Sequence, residues 1–500
     1  MKKTHTSSFN PYFLSAIVLI VILLIAAYLR LWRIGDYMSF LGDEGRDVLV
    51  VKRMIVDHKF TLLGPVTSVG LMHLGPMYYY FMVPFLLLFR LDPVGPAVMV
   101  ALFSLAAIVL LWKTSVEFFD SRTAFISATL YALSPLVITY SHSSWNPNIL
   151  PFWSLLIIYS LLKVYVKKQY LYLMVTGLAL GVVVQLHYVA LVFIPIIFVV
   201  LAMTRFNMPR KYLLYGLLAG LLVYSPYILF EFRHDFINTK TVFEFVTRMG
   251  NRATFSPGTL GYKFWDLSVR LFWRLIVIKN AQLSIFLMLV SLGLGAYFLL
   301  QKSKSAFRSA VSVLVVWYLV GIGLLSLYMG SIYDYYLMFA FPLPFLLTGA
   351  SFSYLTRKRS AAIFAIVAFG FITYFQIKVT PILKEPNRLA AQAKDIAQFI
   401  IGQAHNQPYN FALIAGMNSD HAYRYFLEIS GNPPIEIKNQ VEDPPRATVA
   451  PQLFVVCEEK ICQPLGHPLW EIAGYGRAEI AGEWSVGLFR VFKLVPYYGS

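Results

Sequence analysis

The sequence predicts an α-helical polytopic membrane protein with a small α/β domain at its C-terminal end. Of its 500 residues, 58% are hydrophobic and only 13% are charged, whereas soluble globular proteins have about 25% charged residues. Uncharged apolar runs recur between Tyr12 and Thr380, each of a length that suits a membrane helix. From about residue 385 these runs stop. The composition therefore excludes a large soluble enzyme and a disordered chain.

The first apolar run, Tyr12–Leu29, follows Lys2 and Lys3 and contains no charge. It is longer than the core of a signal peptide, so we interpret it as an uncleaved first span that starts in the cytoplasm. Length and flanking charge predict a bundle of about 11–13 helices. The predicted spans are 12–32, 94–113, 122–140, 148–166, 171–186, 188–204, 212–229, 282–300, 309–328, 335–356 and 361–380.

The net charge of +17 is confined to the apolar part of the chain. Residues 1–384 contain 33 bases and 13 acids, whereas the remainder contains 9 bases and 12 acids. This distribution is typical of membrane-flanking charge, and no basic stripe with RNA-binding aromatic motifs accompanies it, so nucleic acid is not a predicted partner. The basic clusters lie between alternate spans: Lys163/Lys167/Lys168, Arg205/Arg210/Lys211, Lys302/Lys304/Arg308 and Arg357/Lys358/Arg359.

With these four clusters in the cytoplasm, the other loops and the tail face outward across the plasma membrane. Residues 77–90 are apolar but short, and Pro84 interrupts them. Counting them as a span would invert every later loop. We therefore expect an interfacial or re-entrant helix on the outer side.

The tail predicts a separate extracytoplasmic domain over residues 385–500, after a membrane domain over 1–384. Gln452–Val456 and Gly487–Leu494 have the alternation of strands, and Arg388–Ile401 that of a helix. Cys457 and Cys462 are the two cysteines of the chain. On the outer side they are expected to form a local disulfide or to remain as two thiols, and the residues alone leave both open.

Acidic residues are scarce in the membrane part, so their positions carry information. Of the 13 acids in residues 1–384, only Glu117 and Asp120 fall on the cytoplasmic side of this map. Charge is costly in lipid. The remaining acids therefore indicate a water-filled outer cavity lined with carboxylates.

The first outer loop contains the densest acidic group, Asp43, Glu44 and Asp47. Gly42 is expected to make a turn, with Asp43 at the N-cap of an amphipathic helix that follows. One interpretation is that Asp43 caps this helix while Glu44 and Asp47 favour its positive end. The other is that Asp43 or Glu44 acts as a general base. The residues alone favour neither.

Several segments resemble those of a known group of membrane enzymes. Asp43-Glu44-Gly45-Arg46 fits a DE-x-R motif after a first span, and HLGPMYYY follows at 73–80. Together with 130–153, 181–195, 224–239 and 333–347, these segments resemble the GT-C glycosyltransferases, specifically the protein O-mannosyltransferase and aminoarabinose-transferase (glycosyltransferase family 39-like) superfamily. The resemblance covers about residues 10–380 and implies the GT-C fold.

The resemblance implies inverting transfer of a hexosyl or pentosyl group from a polyprenyl-phosphate donor to a lipid, glycan or protein acceptor outside the cytoplasm. Asp43 aligns with the catalytic acid of the superfamily and is the expected base, with Glu44 as the alternative. No cofactor is certain. Asn146 and Asn148 stand where many relatives carry an acid, and amides bind divalent cations poorly, so a metal is possible but not indicated.

Further residues are candidates for substrate binding. The loop 230–281 holds eight bases that would suit the leaving phosphate, although a long loop can also carry solvated charge. These bases are Arg233, Lys240, Arg248, Arg252, Lys263, Arg270, Arg274 and Lys279. The predicted substrate-binding residues are Arg46, His73, Tyr78, His142, Asn146, Gln185, His187, Glu231, Arg233, His234, Asp334 and Tyr335. Trp145 and Asn148 belong to the same polar loop as His142 and Asn146.

Each of these assignments has a structural alternative. Arg46 is expected to pair with Asp43 three residues earlier, and the polar loop 142–148 can equally supply helix caps and an interfacial aromatic side chain. Two other functions compete with sugar transfer. A membrane ligase would move a whole lipid-linked glycan, and a transporter or flippase would need charges within its spans or paired broken helices.

Overall fold

The computed structural model describes residues 11–67, 72–251, 256–278, 280–301 and 305–497. These residues form two compact units. Unit 1 comprises Met1–Trp32, Thr61–Phe81 and Val98–Glu385, and unit 2 comprises Arg33–Phe60, Met82–Ala97 and Pro386–Ser500. Unit 2 thus combines the tail with two segments of the first outer loop region.

Unit 1 is helical. Its helices are α1 (Pro11–Leu31), α5 (Val94–Phe118, which begins in unit 2), α6 (Ser121–Leu133), α7 (Pro135–Ser141), α8 (Leu150–Lys167), α9 (Tyr172–Leu186), α10 (Phe193–Met203), α11 (Arg210–Arg233), α12 (Ile237–Asn251), α13 (Pro257–Phe272), α14 (Ala281–Leu300), α15 (Ala306–Ser326), α16 (Pro342–Leu355) and α17 (Arg359–Lys378). Short 3₁₀ helices cover Asn146–Ile149, Tyr188–Val192, Asp334–Ala340 and Pro381–Leu383, and Trp273–Val277 is a π-helical turn.

Within the described residues, seven helices are long and apolar enough to cross a membrane, or up to nine if each of two bent pairs is one span. The bent pairs are Ser121–Leu133 with Pro135–Ser141 (59°) and Asp334–Ala340 with Pro342–Leu355 (56°). Shorter apolar helices cover Met77–Leu88, Tyr172–Leu186 and Tyr188–Met203. The prediction of a polytopic helical membrane protein is therefore confirmed, and every predicted span corresponds to one of these helices.

Local sequence explains where several helices begin and bend. Asp120 accepts a hydrogen bond from Thr123 N (2.8 Å) at the start of α6, and Asn280 does the same for Leu283 N (2.9 Å) at α14. The 122–140 span breaks because Pro135 has no N–H to continue the helix. Of the basic clusters, Lys302 and Lys304 lie outside the described residues.

Helices α9 and α11 pack through glycines spaced four residues apart on each helix. Gly177 and Gly181 in α9 lie against Gly216 and Gly220 in α11. A Cβ atom on Gly177 would lie 1.8 Å from the Gly216 carbonyl oxygen. Small residues let membrane helices approach until their backbones touch, which maximises the van der Waals contact that holds them together.

Unit 2 is a mixed α/β unit. It contains α2 (Ile34–Tyr37), α3 (Gly42–Val56), most of α4 (Met77–Leu88), α18 (Leu389–Ala404), β1 (Asn410–Ile414), α19 (His421–Ile429), β2 (Leu453–Cys457), α20 (Trp470–Ala473), β3 (Ala478–Val486) and β4 (Phe489–Pro496). The sheet order is β1-β2-β4-β3. β1 and β2 are parallel, with Ala412 opposite Val455, and the other two pairings are antiparallel.

One hydrophobic cluster of unit 2 lies on one side of this sheet. It contains Ala412, Val455, Ile472 and Leu494, all buried. Cys457 and Cys462 form a disulfide beside it. Of the two states that the sequence left open, the structure therefore contains the bonded one. The prediction of a small C-terminal α/β fold is confirmed.

Candidate active site

Helix α3 carries the acidic motif, and its start differs from the predicted one. The N-cap residue is Leu41, not Asp43, and the Glu44 carboxylate accepts a hydrogen bond from Leu41 N (3.1 Å). Asp43 lies in the first helical turn. Glu44 thus accepts the N–H of the N-cap residue Leu41, and Asp43 does not occupy the N-cap position that the sequence predicts.

Glycines set the position of α3 within unit 2. A Cβ atom on Gly42 would lie 2.0 Å from Ser419 Oγ, and one on Gly45 would lie 2.3 Å from Ala422 N. The N–H of Gly42 also donates to Asn418 Oδ1 (2.9 Å). Gly42 is therefore required for close packing against the tail rather than for the predicted sharp turn.

Arg46 joins two carboxylates of the motif. It donates to Asp43 Oδ1 (2.9 Å) and, through Nε (3.0 Å) and Nη2 (2.8 Å), to Asp47 Oδ1. The predicted pairing of Arg46 with Asp43 is confirmed. Asp47 is fully buried, whereas the Asp43 side chain is 50% exposed. Of the three acids in the motif, Asp43 is the one most accessible to a substrate hydroxyl.

Glu44 differs from Asp43 in its environment. Its side chain is 8% exposed. Burial, together with the smaller effect of the Asp43 and Asp47 charges, raises the pKa of Glu44 to about 7, although hydrogen bonds from the backbone amides of Glu44 and Leu41 lower it. A carboxyl group with a pKa near neutrality can exchange a proton at physiological pH.

Residues of the tail surround α3. Asn418 donates to Glu458 (3.0 and 3.1 Å), and Tyr423 OH donates to the same carboxylate (2.7 Å). His421 Nδ1 lies 2.8 Å from Ser419 Oγ. Burial lowers the pKa of His421, while the nearby Asp420 carboxylate opposes this effect. No sequence motif marks these tail residues, so none of them is among the predicted site residues.

Two cavities lie within unit 2. One has a volume of about 400 Å³ and is lined by residues of α3, α19, β1 and α20, including Arg46 and His421. A larger cavity of about 550 Å³ is lined by residues between Pro464 and Ala478, together with Leu494 and Tyr497. None of these lining residues belongs to α3 or α19.

In unit 1, predicted residues converge on two clusters. Asn238 joins the first: its Oδ1 accepts from His73 N (2.7 Å), and its Nδ2 donates to His73 O (2.9 Å) and Tyr188 OH (3.1 Å). Glu231 accepts from the amides of Asn238 (3.3 Å) and Thr239 (2.8 Å). These contacts hold the start of α12, so Glu231 and His73 have structural partners there.

The second cluster is aromatic and basic. Tyr335 packs on Trp145 and His187, with ring centroids 4.7 and 5.8 Å apart. Its neighbour Asp334 accepts from Arg270 Nη2 (2.8 Å) and Arg274 Nε (2.6 Å). Arg270 also lies 3.6 Å from Asp266, so two guanidinium groups face two carboxylates in this cluster.

The polar loop 142–148 is occupied by structural hydrogen bonds. His142 Nε2 lies 3.0 Å from Leu29 O, Asn146 Nδ2 donates to Leu186 O (2.6 Å), and Asn148 Nδ2 donates to Ser143 O (2.8 Å). These buried side chains satisfy backbone carbonyls where the helices are interrupted.

Other predicted binding residues have similar partners. Tyr78 OH lies 2.8 Å from Ser144 Oγ, and Gln185 Nε2 donates to Gly181 O (2.7 Å) and Val223 O (3.1 Å). Arg233 and His234 are exposed, and the His234 ring stacks on Phe230 at 4.1 Å. Arg252 and Lys279 lie outside the described residues, as does the side chain of Arg248.

The predicted residues therefore divide between the units. Asp43, Glu44 and Arg46 belong to unit 2, and the other predicted residues belong to unit 1. Among the residues that the structure describes, no three His, Cys, Asp or Glu side chains converge as a metal site would require.

Comparison with known structures identifies the fold. ArnT from Cupriavidus metallidurans bound to undecaprenyl phosphate superposes with a TM-score of 0.62 at 14% identity, covering 97% of each chain. The chain has the GT-C fold. The archaeal oligosaccharyltransferase AglB from Archaeoglobus fulgidus, in complex with an inhibitory peptide and a dolichol-phosphate, gives a TM-score of 0.53 at 14% identity and covers 90% of this chain and 70% of its own.

Sequence comparison agrees with this GT-C assignment. Residues 73–230 match the family model described as dolichyl-phosphate-mannose-protein mannosyltransferase. A search of curated proteins gives no match. The GT-C resemblance drawn from the sequence motifs is confirmed at the level of the superfamily.

Proposed function

We propose that this GT-C protein transfers a sugar from a polyprenyl-phosphate donor to an acceptor on the extracytoplasmic side, with inversion. The observation that carries the proposal is the likeness along 97% of both chains to an ArnT structure that holds undecaprenyl phosphate. The match of residues 73–230 to a mannosyltransferase family supports the same chemistry.

Asp43 is the proposed general base. Its half-exposed carboxylate, oriented by Arg46 at 2.9 Å, would accept the proton of an acceptor hydroxyl. The freed oxygen attacks the anomeric carbon, and the bond from that carbon to the phosphate oxygen breaks with its electron pair leaving on the phosphate. Attack opposite the leaving group inverts the anomeric centre. Exposure favours Asp43 over Glu44, whereas the pKa of about 7 favours Glu44.

The lipid phosphate of the donor needs cationic partners, and Arg270 and Arg274 of unit 1 are its proposed ligands. Both donate to Asp334, which would hold the two guanidinium groups together. A guanidinium group attracts a phosphate and can donate two parallel hydrogen bonds to it. Asp334 is therefore proposed as a positioning residue.

The extracytoplasmic placement of unit 2 rests on two observations. The basic clusters of the predicted cytoplasmic loops satisfy the positive-inside rule. The Cys457–Cys462 disulfide suits an oxidising compartment.

The direct test uses the purified full-length protein in nanodiscs with a pool of polyprenyl-phosphate sugars extracted from the producing cells. Sugar transfer predicts the release of free polyprenyl phosphate that depends on an envelope acceptor fraction. Mass spectrometry of surface glycans, with and without the gene, then identifies the product. Unchanged surface glycans together with no release of polyprenyl phosphate would reject the function.

Transfer of a whole lipid-linked glycan is the second candidate, and the likeness to the oligosaccharyltransferase AglB favours it. It predicts that the product gains an oligosaccharide and that a pyrophosphate-linked or oligosaccharide-bearing lipid is consumed. The same mass-spectrometric comparison separates the two, because the mass added is either one sugar residue or several.

A further inference from the structure

The cavity of about 400 Å³ in unit 2 has a composition that indicates its ligand. Its volume is within the range of about 300–1,000 Å³ that small-molecule sites occupy. The lining contains three arginines and one histidine together with four carboxylates: Arg46, Arg53, Arg424, His421, Asp420, Glu428, Glu436 and Glu471.

These charges largely neutralise each other. Arg53 donates to Glu428 (3.0 Å), and Arg424 pairs with Asp420 and, at 3.7 Å, with Glu436. A free anion would find every arginine already paired and four carboxylates nearby. A lipid chain would find charged walls that lose hydration without compensation. The lining therefore suits a neutral ligand that both donates and accepts many hydrogen bonds.

An aromatic side chain completes the lining. Trp470 is 50% exposed and its Nε1 donates to Ile437 O (2.9 Å), which fixes the orientation of the indole. A held, exposed indole gives a flat apolar surface against which the C–H face of a sugar ring can pack. Its neighbour Glu471 has a buried carboxylate oxygen, Oε2, that has no hydrogen-bond partner among the described residues. Glu471 lines the cavity, where a carboxylate offers hydrogen-bond acceptors to ligand hydroxyls.

At one end of the cavity, lining residues lie close to the proposed base Asp43 and its neighbour Gly42. Arg46 lines the cavity and donates to Asp43 Oδ1 at 2.9 Å. His421, also in the lining, lies 2.8 Å from Ser419 Oγ, and Ser419 packs directly on Gly42 beside Asp43. A chain of sugar residues in the cavity would therefore end close to the carboxylate that has to accept its proton.

We propose that the cavity bounded by α3, α19, β1 and α20 binds the acceptor, and that the acceptor is a carbohydrate chain packed on Trp470 and hydrogen-bonded to the charged lining. This inference rests on the proposed sugar transfer, of which it names the acceptor class. Peptide and lipid acceptors are excluded by it.

The test measures binding separately from catalysis. Full-length protein in nanodiscs is titrated with oligosaccharides released by mild acid from the envelope polysaccharide of the producing cells. The variants are Trp470→Ala and Glu471→Gln. Their controls are Tyr497→Ala, which removes an equally exposed aromatic ring from the other cavity, and Glu479→Gln on the exposed side of β3.

We expect each cavity variant to weaken oligosaccharide binding about tenfold or more, as the loss of one buried contact predicts. The controls and Asp43→Asn should bind like the wild type, and the cavity variants should raise the acceptor KM with little change in kcat. Inorganic phosphate should not compete.

Three results would overturn the proposal: no binding of the oligosaccharides to the wild type, equal binding by all variants, or displacement by inorganic phosphate. Thermal melting of each variant shows whether it is folded, and Glu471→Gln keeps the test valid if Trp470→Ala is unstable. Failure of sugar transfer itself would appear as an absence of polyprenyl phosphate release while oligosaccharide binding persists, so the two proposals fail differently.

Discussion

Polar side chains have different partners in the two units of the molecule. In unit 1, His142, Asn146, Asn148 and Gln185 bond to backbone carbonyls. In unit 2, charged side chains bond mainly to each other, as in the chain from Asp43 through Arg46 to Asp47. The membrane offers no water to satisfy a broken helix, so polar side chains of unit 1 have that task.

The two kinds of partner differ in the free energy that a side chain needs to rearrange during a reaction. A side chain that satisfies the backbone cannot leave it without a cost of about 1–3 kcal/mol. An ion pair with one exposed partner costs about 0–1 kcal/mol to rearrange. Asp43 belongs to the second kind. Unit 1 also contains ion pairs, among them the cluster of Arg270, Arg274 and Asp334.

The largest expected effect is that of Asp43→Asn, which removes a proton acceptor and keeps the size of the side chain. We expect sugar transfer to fall about 10²- to 10⁴-fold, as for the loss of a general base, with the melting temperature nearly unchanged. The measurement is the initial rate of polyprenyl phosphate release. Asp57→Asn, at the exposed C-terminal end of the same helix, is the matched control and should be fully active. Normal turnover of Asp43→Asn would remove Asp43 from the mechanism.

The second effect tests whether unit 1 holds the charged end of the donor. Replacing Arg270 or Arg274 by Gln should weaken the binding of polyprenyl phosphate about 10- to 150-fold, the value of a charged hydrogen bond. Binding is measured by titration of the nanodisc-embedded protein. Lys240→Gln removes an exposed base from the same loop and should have little effect. An equal loss of polyprenyl phosphate binding in all three variants would mean that any removed positive charge weakens binding, and it would contradict a specific site at Arg270 and Arg274.

The third effect concerns the close packing of two helices of unit 1 through their glycines. Gly177→Ala places a Cβ atom against the Gly216 carbonyl, so α9 and α11 have to separate. We expect a loss of roughly 1–3 kcal/mol, as for other overpacked sites. The control is Gly293→Ala in α14, where a Cβ atom meets nothing within 4 Å. Comparable melting temperatures of the two variants in detergent would contradict the packing argument.

The fourth effect is the pH dependence of the stability of unit 2. The raised pKa of Glu44 means that the folded protein holds this proton more tightly than the unfolded chain does. Stability should therefore fall as pH rises from about 4.3, the usual pKa of a glutamate, to about 7, by at most roughly 4 kcal/mol. Glu44→Gln mimics the protonated acid, so it should lack this decrease.

The measurement for Glu44 is the melting temperature of the wild type and of Glu44→Gln at pH 4.5 and pH 8. The two proteins should be similar at the lower pH, and the variant should be the more stable one at the higher pH. A constant difference across this range would mean that Glu44 ionises normally in the folded protein.

Much of the fold could be predicted from the sequence because the bilayer imposes it. The helices near 12–32, 94–113 and 148–166 follow from apolar length alone. The ion pair of Arg46 with Asp43 follows from their spacing on a helix. The spacing of the glycines at 177, 181, 216 and 220 could also have predicted the close packing of two helices, but this packing was not among the predictions.

The site could be predicted only in part. Asp43 and Glu44 are predicted as site residues from their motif. The predicted N-cap at Asp43 is wrong, because Leu41 is the N-cap residue and Glu44 accepts the N–H of Leu41. Asn418, His421 and Trp470 could not be found, because their relation to α3 spans more than 370 residues of chain and leaves no local pattern.

Apolar length and residue alternation are local properties of the sequence. They therefore suffice to predict that the chain lies in a membrane, where its spanning helices are and that its tail is a small α/β fold. Three features are visible only in the folded structure. The acidic loop packs with the tail in unit 2, Glu44 is buried while Asp43 is exposed, and a cavity lies beside them. Burial and close approach depend on which distant segments meet, and this is what sets the pKa of Glu44 and the accessibility of Asp43.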